Sequence, residues 1–262
     1  MSATEAYGPL FDAHLHIIDP RFPLVGNQGF VPDPFTVEDY RRRTAGLRVT
    51  GGAVVSGSFQ GVDQSYLLDA LRTLGPRFVG VTQLEPWVSD EQITVLNTAG
   101  VRAVRFNLFR QGRESLDALL ELGHRVAAVA GWHVEVYVDA RELGELADRL
   151  AGLPRISIDH LGLSTEGLPE LLRLVERGAR VKATGFGRGD LDVAAALKAV
   201  GEVNPEALLF GTDLPSTRAR APFADGDVAL VYEALGERLA RMALHDNAVD
   251  FYHLRTAARF PA

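Results

Sequence analysis

Residues 11–16 read Phe-Asp-Ala-His-Leu-His, which sets two imidazoles two positions apart. Alternate residues of an extended chain share a face, so Asp12, His14 and His16 are expected on one side, with Ala13 and Leu15 turned into an apolar layer. A His-x-His pair at a strand end can hold a metal or polarise a carbonyl by hydrogen bonding. A third imidazole closes Ile156-Ser157-Ile158-Asp159-His160. Counting back from His160 puts Ile158 and Ile156 on its side and turns Asp159 the other way, towards a neighbouring backbone or loop. Asp213 follows the apolar run Leu208-Leu209-Phe210 and precedes Leu214-Pro215. A carboxylate there can serve as a general base towards water, or cap the turn that leaves the strand. Arginines complete the set: Arg105 inside Val101–Asn107, Arg110 just after it, and Arg188 beyond Lys182-Ala183-Thr184-Gly185. A guanidinium matches a carboxylate through two parallel bonds and is costly to bury without an anion, so Arg105, Arg110 and Arg188 suit an anionic ligand. Tyr137 can add a hydroxyl to the same place. His124, His133, His245 and His253 are assigned no role, because they fall in a helix, at the far end of a strand, or near the C-terminus.

These residues stand at the ends of short β-branched runs, and the runs must position them. Strands are expected at Leu10–His16, Gly52–Ser56, Phe78–Gln83, Val101–Asn107, His133–Asp139, Arg155–His160, Ala179–Ala183 and Leu208–Asp213. Amphipathic helices are expected between them at Thr36–Leu47, Gln64–Leu74, Asp90–Thr98, Leu116–Ala130, Ala140–Leu150, Gly167–Glu176 and Leu191–Val200, with Val228–Ala240 after the last. Thr36 followed by Asp39 resembles a capping box. Glycines at 75, 100, 131, 152, 178 and 201 punctuate the helix ends. Eight such units without a break in composition predict one domain over residues 1–262, a single (β/α)8 TIM barrel, with its chemistry at the C-terminal ends of the strands. The rival doubly wound sheet lacks its Gly-x-Gly-x-x-Gly after the first strand. In a closed barrel the last strand neighbours the first, which brings Asp213 to His14 and His16. The proline-rich stretch Ile17–Phe35 reads as a long loop over the site.

Composition narrows the classes. At 262 residues the chain is close to the roughly 250 typical of such a barrel. With 47% hydrophobic and 23% charged residues it is ordinary globular sequence. Twenty-seven basic against 34 acidic side chains leave a net charge of −7, which disfavours nucleic acid as a partner. There is no cysteine, so disulfides, thiolate metal sites and a thiol nucleophile are excluded. No apolar run reaches the length of a membrane span and no secretory leader is legible, so a cytoplasmic protein without a membrane partner is expected.

The segments Asp12-Ala13-His14-Leu15-His16, Asp159-His160-Leu161-Gly162, Gly211-Thr212-Asp213 and Asp246-Asn247-Ala248…Phe251-Tyr252 resemble the amidohydrolase-2 group of the amidohydrolase superfamily. Arg105-Phe106-Asn107 and Lys182…Gly185…Arg188 are similar to the pyrone dicarboxylate lactonases within it. The resemblance spans Phe11 to Tyr252. It implies a hydrolase that opens a small anionic lactone, 2-pyrone-4,6-dicarboxylate or a close relative. Asp213 would act as base, His14, His16 and His160 as donors to the carbonyl oxygen, and Arg105, Tyr137 and Arg188 as substrate contacts. Arg110 lies near the place of a further arginine, with Gln111 the alternative match. Metal-binding members use a histidine ending strand 5, where this chain has Tyr137-Val138-Asp139. No required cofactor is therefore expected, although His14, His16 and Asp213 could hold one divalent ion such as Zn2+. The alternatives are a sugar lactonase, a zinc-dependent decarboxylase of the same superfamily, and a non-catalytic barrel binding an anionic metabolite.

Overall fold

The computed structural model describes residues 7–26, 29–111 and 116–254, with the side chains of residues 110 and 111 outside the description. Eight strands lie in chain order in one parallel sheet: β1 (Leu10–Leu15), β2 (Val49–Val55), β3 (Phe78–Thr82), β4 (Val101–Asn107), β5 (His133–Tyr137), β6 (Ile156–Ile158), β7 (Arg180–Ala183) and β8 (Leu208–Phe210). The seam between β8 and β1 is joined just past the strands, where Asp213 N donates to His14 O at 2.7 Å and His16 N donates to Leu214 O at 2.8 Å. This is the expected (β/α)8 barrel. The outer layer holds α1 (Val37–Arg43), α2 (Ser65–Leu74), α3 (Asp90–Thr98), a short α4 (Leu108–Gln111), α5 (Leu116–Ala130), α6 (Leu143–Ala151), α7 (Leu168–Glu176), α8 (Val193–Val203) and α9 (Gly226–Arg241). A π turn at Met242–Asp246 leads into α10 (Asn247–Phe251). Among the described residues no helix is long and apolar enough to cross a membrane.

The period of two sorts each strand into two cores. Leu10, Val54, Val104, Val134, Ile156, Ile158, Val181 and Leu208 face the helices, while Phe11, Ala53, Val79, Val81, Ala103 and Leu209 fill the barrel interior. The interior floor is closed by Phe251, which ends the last helix, and Tyr252, which follows it. Local chemistry sets the helices that surround this core. Thr36 Oγ1 accepts from Asp39 N and the Asp39 carboxylate accepts from Thr36 N, the reciprocal cap that the sequence predicts. The Ile17–Phe35 excursion is pinched at its base by paired backbone bonds between Ile18 and Phe35.

Two expectations about side-chain direction are corrected. Asp12 does not share a face with His14 and His16. It points outward, accepting from Tyr40 of α1 at 2.9 Å and from Thr212 Oγ1 at 2.7 Å, while Ala13 faces the interior. The cause is a register shift: Asp12 pairs with Gly52 and Leu15 with Val54, so three steps on β1 match two on β2. The extra residue reverses the alternation and turns both imidazoles inward. In β6, Ile156 and Ile158 face outward and Asp159 faces inward, opposite to the expected phase. The strand stops at Ile158 because His160 (φ 52°) and Leu161 (φ 53°) turn left-handed, so His160 enters the barrel out of phase. The last strand stops early for a similar reason, with Asp213 at φ 59°.

Gly211 makes the β8–β1 seam possible, since a Cβ there would stand 2.6 Å from His14 N and 3.1 Å from its Cα. Backbone on both sides leaves little room to yield. Gly211→Ala is expected to cost about 2–3 kcal/mol. Thermal unfolding should register this as a loss of several degrees, and an unchanged Tm would mean that the seam can open freely.

Candidate active site

The inward residues of consecutive strands stack up the barrel axis towards its C-terminal mouth. On the floor, His133 Nε2 lies 3.2 Å from Glu135 Oε1, which also accepts from Tyr252 Oη at 2.7 Å. The other oxygen of Glu135 meets Lys182 Nζ at 2.5 Å, and both side chains are fully buried. Burial opposes charge on Glu135, but the Lys182 ammonium and His133 outweigh it and hold the carboxyl down at about 2. One layer up, Arg105 donates through Nε and Nη2 to Asp159 Oδ2 at 3.0 and 2.8 Å, and through Nη1 to Ser56 O at 2.9 Å. At the mouth, Arg188 Nε donates to Asp213 Oδ2 at 2.7 Å and Nη2 to Thr217 O at 2.9 Å. Each of these three buried carboxylates has its own resident cation.

His14 stands at the centre. Its Nδ1 is 3.4 Å from Lys182 Nζ and 3.6 Å from Asp159 Oδ1, and its Nε2 is 4.0 Å from Asp213 Oδ1. The rings of His16 and His160 lie 5.0 and 4.9 Å from it, centroid to centroid. Gly185 is the floor under His160, because a Cβ there would meet His160 Nδ1 at 2.6 Å. Burial, with Lys182 and the neighbouring imidazoles, pushes His14 well below the usual histidine range; burial likewise takes His160 down to about 3 despite Asp213. Both are neutral near pH 7. Burial alone would raise Asp213, yet Arg188 and His160 reverse this and hold it charged, far below the usual carboxylate range. His14 Nε2, His160 Nδ1 and Asp213 Oδ1 are all buried without a hydrogen-bond partner. Unpaired groups of this kind cost about 1–3 kcal/mol each, so their convergence marks a place for substrate or water.

The geometry brings together His14, His16, His160, Asp213, Arg105, Tyr137 and Arg188, and it bears on three of the expectations. Arg105 lines the mouth but spends its fork on Asp159, so the anion that compensates its burial belongs to the protein. His16 Nδ1 lies 2.7 Å from Val55 O, which can only accept. That contact takes up the Nδ1 hydrogen, and Nε2, the nitrogen left to face the substrate, lies 3.7 Å from Asp213 Oδ1. The third concerns metal. His14, His160 and Asp213 offer ligand atoms within 4.8 Å of one another, a set that could hold an ion by distance, with His160 in place of the expected His16. A ligating imidazole almost always donates its other N–H outward, and the other nitrogen of His14 lies nearer the Lys182 ammonium, at 3.4 Å, than the carboxylate oxygen Asp159 Oδ1, at 3.6 Å. The atoms converge, but with Lys182 as its inner partner His14 is not set to ligate a metal. Arg110 lies outside the described side chains. His124 is exposed and His133 is buried on the floor, away from the mouth.

Sequence reading missed Lys182, Glu135 and Tyr252 as a buried chain, and Arg218 at the rim. Arg218 stacks over Phe30 of the Ile17–Phe35 excursion at 4.3 Å, and both line the mouth cavity. An adjoining cavity shares Tyr137, Arg188 and Arg218 and adds Arg141 and Arg220. The alternating inward pattern of His133, Glu135 and Tyr137 was the available signal for the chain.

An eight-stranded barrel with imidazoles at the end of β1 and after β6 and an aspartate after β8 has the layout of an amidohydrolase-type site. The chain belongs to the amidohydrolase family, whose model matches residues 11–254. It is 28% identical to a 2-pyrone-4,6-dicarboxylate hydrolase of Comamonas testosteroni, over 92% of this chain and 89% of that one. It is 29% identical to a 4-sulfomuconolactone hydrolase of Rhizobium radiobacter, over 78% and 75%. A crystal structure from Pseudomonas putida, provisionally assigned as a 2-pyrone-4,6-dicarboxylic acid hydrolase, superposes with a TM-score of 0.77 at 29% identity, over 94% of this chain and 98% of that one.

The Arg105–Asp159 pair generates a stability prediction. Asp159→Ala leaves a buried guanidinium unpaired and should cost about 3–5 kcal/mol in denaturant unfolding. Arg105→Met combined with Asp159→Leu removes both charges and should recover most of that loss.

Proposed function

We propose that the protein hydrolyses a small anionic lactone, 2-pyrone-4,6-dicarboxylate or a close relative, by water attack on the ring carbonyl without a required metal. One observation carries this reading: Asp213 Oδ1, charged, buried and without a hydrogen-bond partner, lies 3.7 Å from His16 Nε2 beneath an arginine-lined mouth. With the His16 hydrogen on Nδ1, the two atoms orient a water that donates one hydrogen bond to each. The lactone hydrolase relatives support the reaction class, and Arg188, Arg218 and Arg220 around the cavities support an anionic substrate.

In the reaction the water oxygen bonds to the carbonyl carbon while Asp213 takes its proton. The carbonyl oxygen gains negative charge and is met by imidazole N–H in a dry, preorganised site. Collapse breaks the ring C–O bond, and the leaving oxygen takes the proton back from Asp213. Lactone plus water gives the ring-opened acid with no other reactant.

Loss of the pyrone's ultraviolet absorbance, followed with chelator-treated protein at neutral pH, tests substrate and metal independence together. Turnover is expected. Activity that returns only on adding zinc would overturn the metal-free reading, and silence with zinc as well would remove this substrate. Asp213→Asn should abolish turnover while retaining substrate binding by calorimetry. Arg188→Met should raise KM for carboxylated substrates. It should also shift the acid limb of kcat/KM upward: Asp213 works as the anion, so activity is lost as pH falls through its pKa, and removing Arg188 raises that pKa. An unmoved limb would separate Arg188 from the base.

A further inference from the structure

We propose that Lys182 is a positioning residue that fixes His14 with its proton on Nε2, so that the two imidazoles of the His-x-His pair carry opposite tautomers, one a donor and the other an acceptor. The assignment follows from what each inner nitrogen meets. Lys182 Nζ, 3.4 Å from His14 Nδ1, is a donor with no lone pair to offer while it is paired with Glu135 at 2.5 Å. His14 Nδ1 must accept, and a neutral imidazole then carries its one hydrogen on Nε2. His16 is set the other way, because Val55 O, 2.7 Å from its Nδ1, can only accept. Its hydrogen sits on Nδ1 and its lone pair on Nε2.

The two free nitrogens open on the same carboxylate from different positions, at 4.0 Å for His14 and 3.7 Å for His16. One presents an N–H to a developing oxyanion, and the other accepts a hydrogen bond that orients the attacking water, whose proton goes to Asp213. That catalytic consequence rests on the proposed lactone hydrolysis; the tautomers themselves do not. The competing partner for His14 Nδ1 is Asp159 Oδ1, an acceptor at 3.6 Å that would demand the reverse tautomer. Lys182 lies within hydrogen-bond distance and Asp159 does not; Arg105 binds Asp159 through Oδ2 and leaves Oδ1 without a partner, so the 3.4 Å contact to Lys182 is what decides the assignment. Lys182 is held in turn from below. Glu135 is anchored by Tyr252 and His133, so the ammonium cannot retreat without stranding a buried carboxylate. With hydrogen on Nε2, His14 cannot ligate a metal at the mouth, which is the physical content of the misfit noted above.

The test is nitrogen-15 NMR of the histidine rings in the intact protein near pH 7, with His14 and His16 assigned by the resonances that disappear in His14→Gln and His16→Gln. His14 protonated at Nε2 and His16 protonated at Nδ1 are expected. The same tautomer on both rings, or His14 protonated at Nδ1, would overturn the proposal whether or not the protein turns over any lactone. Lys182→Met alone strands Glu135, so the informative variant pairs it with Glu135→Gln, which keeps an acceptor for Tyr252. In that double variant His14 should lose its exclusive Nε2–H form while His16 keeps its own. Lactone turnover should fall roughly 10²- to 10³-fold in kcat, the effect of losing one oxyanion donor, with KM little changed. A double variant that retains the Nε2–H form of His14 would show that Lys182 does not set it. Should the variant fail to fold, the wild-type spectrum still decides the tautomers.

Discussion

Burying charge inside a barrel is the constraint on which this structure turns. An isolated ion there costs several kcal/mol even after relaxation, and the chain places three carboxylates along the axis. Each is matched: Glu135 by Lys182, Asp159 by Arg105 and Asp213 by Arg188. The first two pairs skip a strand, from β5 to β7 and from β4 to the end of β6, so they tie non-neighbouring strands through the interior. They leave the upper barrel polar but neutral. The apolar floor of Phe11, Ala53, Val79, Ala103 and Leu209 lies beneath, sealed by Phe251 and Tyr252.

Neutral pairing has a functional result. Burial, with the resident cations close by, keeps His14 and His160 uncharged, and the proton of the His14 ring is placed by the neighbour at its inner nitrogen. A site that must both donate to and accept from reacting oxygens near pH 7 needs that separation, since two imidazolium rings would offer no base and two identical tautomers would duplicate one role. The irregular backbone serves the same end. The register shift in β1 and the left-handed residues His160 and Asp213 abandon strand alternation where it would have turned these side chains towards the helices. Such departures from local preference are concentrated at the mouth, as expected where geometry is held for chemistry.

The rim makes a different contribution. Arg188 is shared between Asp213 and the cavity, while Arg218 and Phe30 come together from the loop after β8 and the loop after β1. In the proposed reaction recognition falls to loops and acid–base chemistry to strand ends, a division that lets one barrel keep its reaction geometry while its substrate contacts vary.

Much of this was legible in the residues themselves. The eight strand–helix units are visible because parallel strands buried on both faces read as β-branched runs, and glycines end the helices between them. His14, His16, His160 and Asp213 stand out because polar residues ending apolar runs are conspicuous, and strand order alone brings Asp213 to β1. What the sequence could not determine is phase and partnership. Strict alternation assigned Asp12 to the site and Asp159 away from it, and one extra residue in β1 with an early stop in β6 reversed both. A one-residue change of phase costs little locally but exchanges the inside and outside of a strand. Likewise Arg105 reads as a substrate clamp until Asp159, 54 residues away, is seen to occupy it. The tautomers of His14 and His16 depend on Lys182 and Val55, contacts across 168 and 39 residues that only tertiary packing creates. Residue type and local spacing determined which groups are present and at which end of the barrel; the closed sheet decided which of them meet, and therefore which nitrogen holds the proton.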